Sequence, residues 1–567
     1  MVCLRVFFLF LFSSLFFFPV DVYGQSAPPP ERPKVDENGV DVQSGDIYFQ
    51  EPGVSIGGES VGALSYARFL SGGWRTNFTN ALDIRIEAEY NIYSRSMSYG
   101  GISRSEYSNN MGQMLPLLAD GHDWDSLRDG TSLDFSKEFV SISGAQQQYI
   151  NFIKKVTFPN GVVYTFHYKD STEGGIFKTR VQSITSNAGY QLKFNYFSNE
   201  RDPSSPLSYD WERVVSVVAI NNSVDFCDPS ADFCNFSMNW PVIHYGSSST
   251  TPPGMGEIRY ERGAGYFRIY NPDGSINKSY NTSVINTICI AYNCPGGSLA
   301  VRVTSATLGG VTTSYTYSND QDRLSVTSST AGVSRRYISD RDAGGITYFD
   351  GLGRQSRFDE NLGNVEKAVN PEGDYFLYTR DGRGNIITER HFGKGGGQVY
   401  QITREFPQSC VFGNRKYCNN PQSVTDAAGN RTSYTYSVEH GGVVTEMGPA
   451  VNGLSPLVRR YYQQRYAWIR NGGGSLVRAA SPVWLLSEER TCRNGATVNT
   501  SCASGASDEV VTTYDYGSDD GAVGNNLALR SKVVRADGVS LRSCYEYDAL
   551  GNLIAETSPL EGLASCS

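Results

Sequence analysis

The sequence predicts an all-β protein, and three observations carry that expectation. First, the 567 residues include 59 Gly and 36 Tyr, with apolar residues at 39% and charged residues at 19%. A chain rich in Gly, Tyr, Ser, Thr and Asn suits strands and tight turns better than helices. Second, short stretches alternate apolar and polar residues with a period of two. Third, Gly-containing turn signals recur at regular intervals. The length allows about four domains or one large repetitive body. A net charge of −9 argues against a nucleic-acid binder.

The first element, residues 1–24, reads as a secretory signal. Arg5 gives a minimal positive start, Val6 to Phe18 is apolar apart from Ser13 and Ser14, and Pro19 ends the run. It is too short to span a bilayer comfortably. Cleavage after Gly24 or after Ser26 satisfies the small-residue rule. No later stretch reaches 18 apolar residues, so no membrane span is expected after cleavage, and the product is expected to be secreted or displayed at the cell surface. Residues 25–40 follow as a Pro-rich linker, extended and exposed, built around Ala27 to Pro33.

Residues 41–340 read as an N-terminal β-rich region. Leu82, Ile84 and Ile86 fall on one face of a strand with charges opposite, and Val162 to Tyr168 and Tyr190 to Tyr196 keep the same period. Short helices are expected only around Met111 to Leu118, interrupted by Pro116, and around Leu457 to Trp468.

Residues 341–567 carry a repeat. The pattern D-x-x-G-[N/R] occurs at Asp350/Gly353, Asp381/Gly384/Asn385, Asp426/Gly429/Asn430 and Asp548/Gly551/Asn552, with a variant from Glu360 to Gly363 and Asn364. Glycines 353, 363, 373 and 384 are ten or eleven residues apart, so two turns make a unit near 21 residues. Such a motif fits a hairpin: Gly supplies a positive φ, and Asp bonds its own turn backbone. Aromatic residues just before the Asp, such as Phe349 and Tyr547, pack across the paired strands.

Cysteine placement agrees with export. Without Cys3, ten remain, in close pairs: Cys227/Cys234, Cys289/Cys294, Cys410/Cys418, Cys492/Cys502 and Cys544/Cys566. Disulfide staples are the expectation, since there is no C-x-x-C and none of the five histidines (His122, His167, His244, His391, His440) stands with a cysteine pair. No metal and no cofactor is expected.

Catalytic motifs are sparse. Gly58-Glu59-Ser60-Val61-Gly62 matches the G-x-S-x-G nucleophile elbow, but strand-like sequence follows it where a helix is required, so a turn between strands is expected. Asp120, Asp123, Asp125 and Asp129, around His122 and Trp124, lack the spacing of a calcium loop and read as a solvated acidic loop. No phosphate loop, dinucleotide fingerprint or H-E-x-x-H occurs. The tyrosines are expected to pack across strands rather than to stack on sugars.

Tyr547-Asp548-Ala549-Leu550-Gly551-Asn552-Leu553-Ile554 resembles the signature of the YD-repeat, or RHS-repeat, family. Asn370-Pro371-Glu372-Gly373 followed by Tyr378 to Ile386 resembles a full unit, and degenerate copies lie at Tyr315 to Leu324 and Tyr209 to Val217. Ser44-Gly45-Asp46 leading into Gly72 to Phe78 is similar to the segment that often precedes such repeats. The resemblance runs from about residue 41 and is strongest over 345–400 and 543–562. It implies a β-ribbon winding into a spiral or partial shell. It also implies a non-enzymatic scaffold enclosing or displaying a protein cargo or a second repeat chain, in a toxin-delivery or contact-dependent competition system. The sequence departs from the toxin-bearing pattern in ending soon after a repeat, with no visible self-cleavage motif. The alternative expectation is a cell-surface adhesin that binds glycan through exposed aromatics.

Overall fold

The computed structural model describes residues 36, 38–40, 47, 49–50, 53–70, 74–76, 82–87, 92–99, 102–108, 132–140, 148–157, 161–170, 176–200, 211, 213–245, 258–263, 265–271, 274–287, 298–320, 323–340, 345–361, 364–411, 413–559 and 562–566. They are predominantly strands, as the sequence predicts, with a short 3-10 turn at Gly505–Asp508.

From Ser132–Val140 to Leu553–Glu556 the strands form one ribbon, each pairing with its neighbour in sequence, almost always antiparallel. Val242–Tyr245 and Ile258–Gly263 pair in parallel. Near the C-terminus, Leu457–Arg465 pairs directly with Val483–Cys492, leaving a separate hairpin of Trp468–Arg470 and Leu476–Arg478 between them. Leu82–Glu87 docks on Ile176–Thr185 as a branch. The predicted strand at Tyr190–Tyr196 is present, and the one predicted from Val162 to Tyr168 runs over Val163–Asp170.

One expectation fails here. The stretch from Leu457 to Trp468 is not helical: Leu457–Arg465 is a nine-residue strand. Its Arg and Tyr residues serve opposite faces. Arg460 meets Glu446 and Glu489 on one face, and Arg459 meets Glu509 on the other. This long-range pairing overrides a weak local propensity. The second expected helix, Met111 to Leu118, lies outside the described residues.

Regular bulges give the ribbon its bend. One extra residue lies soon after many of the turns: Asn277 opposite Ile269/Tyr270, Ile387 opposite Thr379/Arg380, Val399 opposite His391/Phe392 and Ile554 opposite Glu546/Tyr547. Each bulge bends its strand and increases the local twist. Other bulges are capped by tyrosines. The residue just before the extra one offers its carbonyl to a Tyr hydroxyl of the next strand: Tyr196 to Val181 (2.5 Å), Tyr317 to Val303 (2.7 Å), Tyr462 to Val443 (3.1 Å) and Tyr516 to Leu486 (2.9 Å). The last aromatic of Phe194-Asn195-Tyr196, Tyr315-Thr316-Tyr317, Tyr461-Tyr462 and Tyr514-Asp515-Tyr516 therefore satisfies a carbonyl at an irregular point of the ladder.

The bending brings distant parts together. Gly57 donates its N–H to Leu550 O at 2.7 Å, Asn221 Nδ2 donates to Ala549 O at 2.8 Å, and Asn526 Nδ2 donates to Ala188 O at 2.7 Å. Asn187 Nδ2 reaches Pro482 O at 2.8 Å, and Arg470 donates its N–H to Asn222 O at 2.7 Å. Turns of the early strands thus rest on turns and loops about 250 to 490 residues later, forming a seam between two levels of the ribbon.

The N-terminal segment fills one face. The hairpin Val54–Ile56/Leu64–Tyr66 packs on Tyr190–Tyr196 and Val214–Asn221, with Tyr66 edge-on to Phe194 at 5.3 Å. Val40, Ile47, Val54, Ile56, Leu64 and Tyr66 are all buried. The face on which Asp36, Asn38 to Val40, Ile47 and residues 53–67 pack is termed the inner face below.

Candidate functional site

The repeat turns share one geometry. In the segments 350–354, 381–385, 426–430 and 548–552, the Asp N–H donates to the carbonyl four residues on, and the Gly N–H donates back to the Asp carbonyl. The glycines sit at φ 75° (Gly353), 90° (Gly384), 84° (Gly429) and 83° (Gly551), the left-handed position of a three-residue hairpin loop with a Gly bulge. Each Asp side chain then locks its own loop. Asp381 Oδ1 accepts the N–H groups of Arg383 (2.9 Å) and Asn385 (3.0 Å), while Oδ2 accepts Asn385 Nδ2 (2.9 Å). Asp426 does the same with Ala428, Asn430 and Asn430 Nδ2, and Asp548 with Leu550, Asn552 and Asn552 Nδ2. At Asp350 the guanidinium of Arg354 takes the place of the amide. Asn or Arg after the Gly is thus explained by the second carboxylate oxygen. The variant turn at Gly363 lies outside the described residues.

Identical backbone turns occur where the consensus is absent, at 271–275, 370–374, 393–397 and 471–475. Asn471 replaces Asp and still accepts the N–H groups of Gly473 and Ser475. One further copy lies inside the expected linker. Asp36-Glu37-Asn38-Gly39-Val40 has the same bonds, with Asn38 and Val40 N–H groups on Asp36 Oδ1. This corrects the linker boundary: the stretch 25–40 ends in a folded, largely buried turn. The D-x-x-G signal was visible, but Val40 stands where Asn or Arg does elsewhere, and its apolar side chain cannot donate to Asp36 Oδ2. Instead Tyr348 donates its hydroxyl there at 3.1 Å. Asn38 is buried, bonded to Ser328 Oγ (3.0 Å), Thr330 Oγ1 (2.7 Å) and Tyr315 Oη (2.6 Å). Burial pushes the Asp36 carboxyl above its ordinary value despite these donors.

Four of the expected disulfides are formed: Cys227–Cys234, Cys410–Cys418, Cys492–Cys502 and Cys544–Cys566, with Cα–Cα distances of 5.5, 5.3, 5.4 and 5.5 Å. Cys289 and Cys294 lie outside the described residues. The first bridge shapes a loop held by side chains that sequence reading missed. Lys193, buried among strands, donates to Pro229 O (3.3 Å) and to Ala231 O, Gln182 donates to Ala231 O (3.0 Å), and His167 Nε2 lies 2.7 Å from Ser230 O. A lysine and a glutamine in strand positions carry no signal of this role without the tertiary partner.

Ser60 sits at the tip of the hairpin between Val54–Ile56 and Leu64–Tyr66. Its N–H donates to Gly57 O at 2.8 Å, and Gly57, Gly58 and Gly62 all have positive φ. The G-x-S-x-G match is therefore the expected turn between two antiparallel strands, not a strand-to-helix elbow. Asp120, His122, Trp124 and the neighbouring acidic residues lie outside the described residues.

The inner face can be followed by register, because directly paired residues share a face. From Tyr315 and Tyr348 it runs through Phe358, Phe376, His391 and Tyr400, then Arg404, Tyr434, Glu446, Arg460, Glu489 and Tyr514. Its first part is buried under Asp36 and Asn38 to Val40. Further on, Phe376, His391, Tyr400, Tyr434, Glu446 and Arg460 are half-exposed. Arg460 bridges Glu446 (3.2 Å) and Glu489 (3.0 Å), and Arg404 pairs with Glu389 (3.5 Å). Burial pushes the Tyr462 hydroxyl up to about 12, and its bond to the Val443 carbonyl assigns it to sheet packing, as expected for the tyrosines. The opposite face carries its own charge clusters, including Ser423, Glu405 and Arg431.

No family model and no curated protein matches the chain. Among solved structures it is similar to TcdB2-TccC3 without its hypervariable C-terminal region, at 13% identity over 72% of this chain and 24% of that one, TM-score 0.20. It is also similar to TcdB2-TccC3 (12% identity, 88% and 28% coverage, TM-score 0.21). A porin-like protein from Bacteroides uniformis gives 11% identity, 50% and 90% coverage, and a TM-score of 0.12. The chain spans about a quarter of the length of the TcdB2-TccC3 structures.

Proposed function

We propose that this chain is an exported, non-enzymatic scaffold of the YD-repeat type whose inner face encloses or displays a protein partner. The observation that carries the reading is the contrast along the inner face. Asp36, Asn38 to Val40, Ile47 and residues 53–67 bury its first part, whereas from Phe376 to Arg460 it is half-exposed and lined by aromatic rings and paired charges. A half-exposed aromatic and charged sheet face suits protein recognition, in which aromatic and Arg side chains supply most of the binding energy. The four disulfides fit an oxidising compartment, and the apolar N-terminal run fits export.

The test is affinity purification from native secretions with mass spectrometry, run in parallel for the wild type, Tyr434→Ala/Arg460→Ala on the inner face and Arg431→Ala on the opposite face. A stoichiometric protein retained by the wild type and Arg431→Ala but lost from the inner-face variant is the expected result. Recovery of the chain alone, or a partner indifferent to the inner-face change, overturns the reading.

A further inference from the structure

A continuous row crosses the inner face next to the N-terminal plug. Ile346 pairs with Phe358, Phe358 with Ala368, Ala368 with Phe376, Phe376 with His391, and His391 with Tyr400. Ile346, Phe358 and Ala368 are buried, but the last three positions are half-exposed. There the Phe376 and His391 rings stack at 4.6 Å, and Tyr400 leans on His391 at 5.1 Å. Asp374 holds the imidazole from its Nε2 side at 2.9 Å, which fixes the ring as part of the platform. Three adjoining rings on a half-exposed sheet face form a shallow aromatic shelf.

The occupant follows from the chain itself. Residues 27–33 read Ala-Pro-Pro-Pro-Glu-Arg-Pro, and the described fold begins three residues later at Asp36, held on this same face by Tyr348. A proline run has few backbone donors, so it is unsuited to adding a strand at a sheet edge, but its preformed polyproline helix lies well on aromatic surfaces. The reach agrees. Phe376 and Tyr400 lie three and five strands beyond Tyr348, or ~14 and ~24 Å at the usual inter-strand spacing. At ~3.1 Å per residue, a polyproline segment running back from Asp36 reaches ~9 Å by position 33 and ~19 to ~25 Å by positions 30 to 28.

We propose that the Pro28–Pro33 segment of this chain docks on the Phe376–His391–Tyr400 shelf, extending the plug along the inner face. The inference goes beyond the scaffold reading and stands without it. It is tested on the full exported chain with a Glu-specific protease, following cleavage after Glu31 by mass spectrometry. Docking shields that bond, so Phe376→Ala/Tyr400→Ala is expected to cut roughly tenfold faster than the wild type, because cleavage tracks the undocked population. Pro28→Gly/Pro29→Gly/Pro30→Gly, which leaves the sheet untouched, is expected to give the same acceleration. Equal rates in all three proteins, or a proline variant that cuts as slowly as the wild type, overturn the proposal.

Discussion

Asp381 accepts five hydrogen bonds from its own loop, from the N–H groups of Arg383 and Asn385, from the Asn385 amide, and from Nε and Nη2 of the Arg383 guanidinium. Partial burial works against its ionised form, but those donors and the Arg383 guanidinium hold the carboxyl below its ordinary value. A depressed folded value means that this stabilisation is fully present above the unfolded pKa of about 3.9 and is lost as pH falls through the folded one. Asp381→Ala is therefore expected to lower stability by about 1–2 kcal/mol at neutral pH. Urea unfolding should show that difference shrinking as pH falls from the unfolded value through the lower folded one, where the wild-type carboxyl is also protonated. An undiminished difference in acid would show that the carboxylate charge is irrelevant. Asp381→Asn is expected to recover only part of the loss, since Asn471 makes the same two backbone bonds in its own turn but an amide nitrogen cannot accept from Asn385 Nδ2 or the Arg383 guanidinium.

Within a hairpin unit, the bulge and the tyrosine act together. Val444 is the extra residue between Thr435 and Tyr436, and the Val443 carbonyl beside it takes the Tyr462 hydroxyl at 3.1 Å. Tyr462→Phe leaves that half-buried carbonyl without its donor and is expected to cost about 1 kcal/mol. The same tyrosine gives an alkaline signature. Burial pushes its hydroxyl up to about 12, against about 10 in the unfolded chain. The unfolded state loses its proton first, so stability falls as pH rises between these values. Wild type should lose more stability than Tyr462→Phe between about pH 10 and pH 12 in chemical denaturation. Parallel curves would place the titration elsewhere.

At the level of the whole ribbon, the seam separates two glycines that local sequence makes equivalent. Gly384 and Gly551 both occupy the left-handed position of a D-x-x-G-N turn, at φ 90° and 83°. A methyl group at Gly384 meets nothing within 4 Å, whereas at Gly551 it would stand 2.7 Å from Tyr190 Oη and 2.8 Å from Gly57 Cα. Gly384→Ala should therefore cost only the backbone strain of about 1–2 kcal/mol. Gly551→Ala adds overpacking of about 1–3 kcal/mol. The decisive reading is hydrogen exchange at the Gly57 amide, which donates across the seam to Leu550 O. Faster exchange in Gly551→Ala but not in Gly384→Ala is expected, and equal exchange in both would mean that the seam is not held at this turn.

Strands, repeat turns and staples were legible in the sequence because each rests on neighbours a few residues apart. An Asp reaches its own loop, a Gly adopts its own φ, and Cys227 finds Cys234 seven positions on. Even the Ser60 motif could be assigned to a turn from the residues that follow it. What failed or stayed hidden depends on partners tens to hundreds of residues away. The stretch from Leu457 looks helical until Val483–Cys492 pairs with it. Asp36 looks like the end of a linker until Tyr315, Ser328 and Tyr348 close over its turn. Local chemistry thus determined the all-β ribbon and its punctuation. The tertiary structure alone decided which face is filled, where the two levels meet and which aromatics remain half-exposed, because those outcomes depend on the bend summed over many bulges rather than on any single residue.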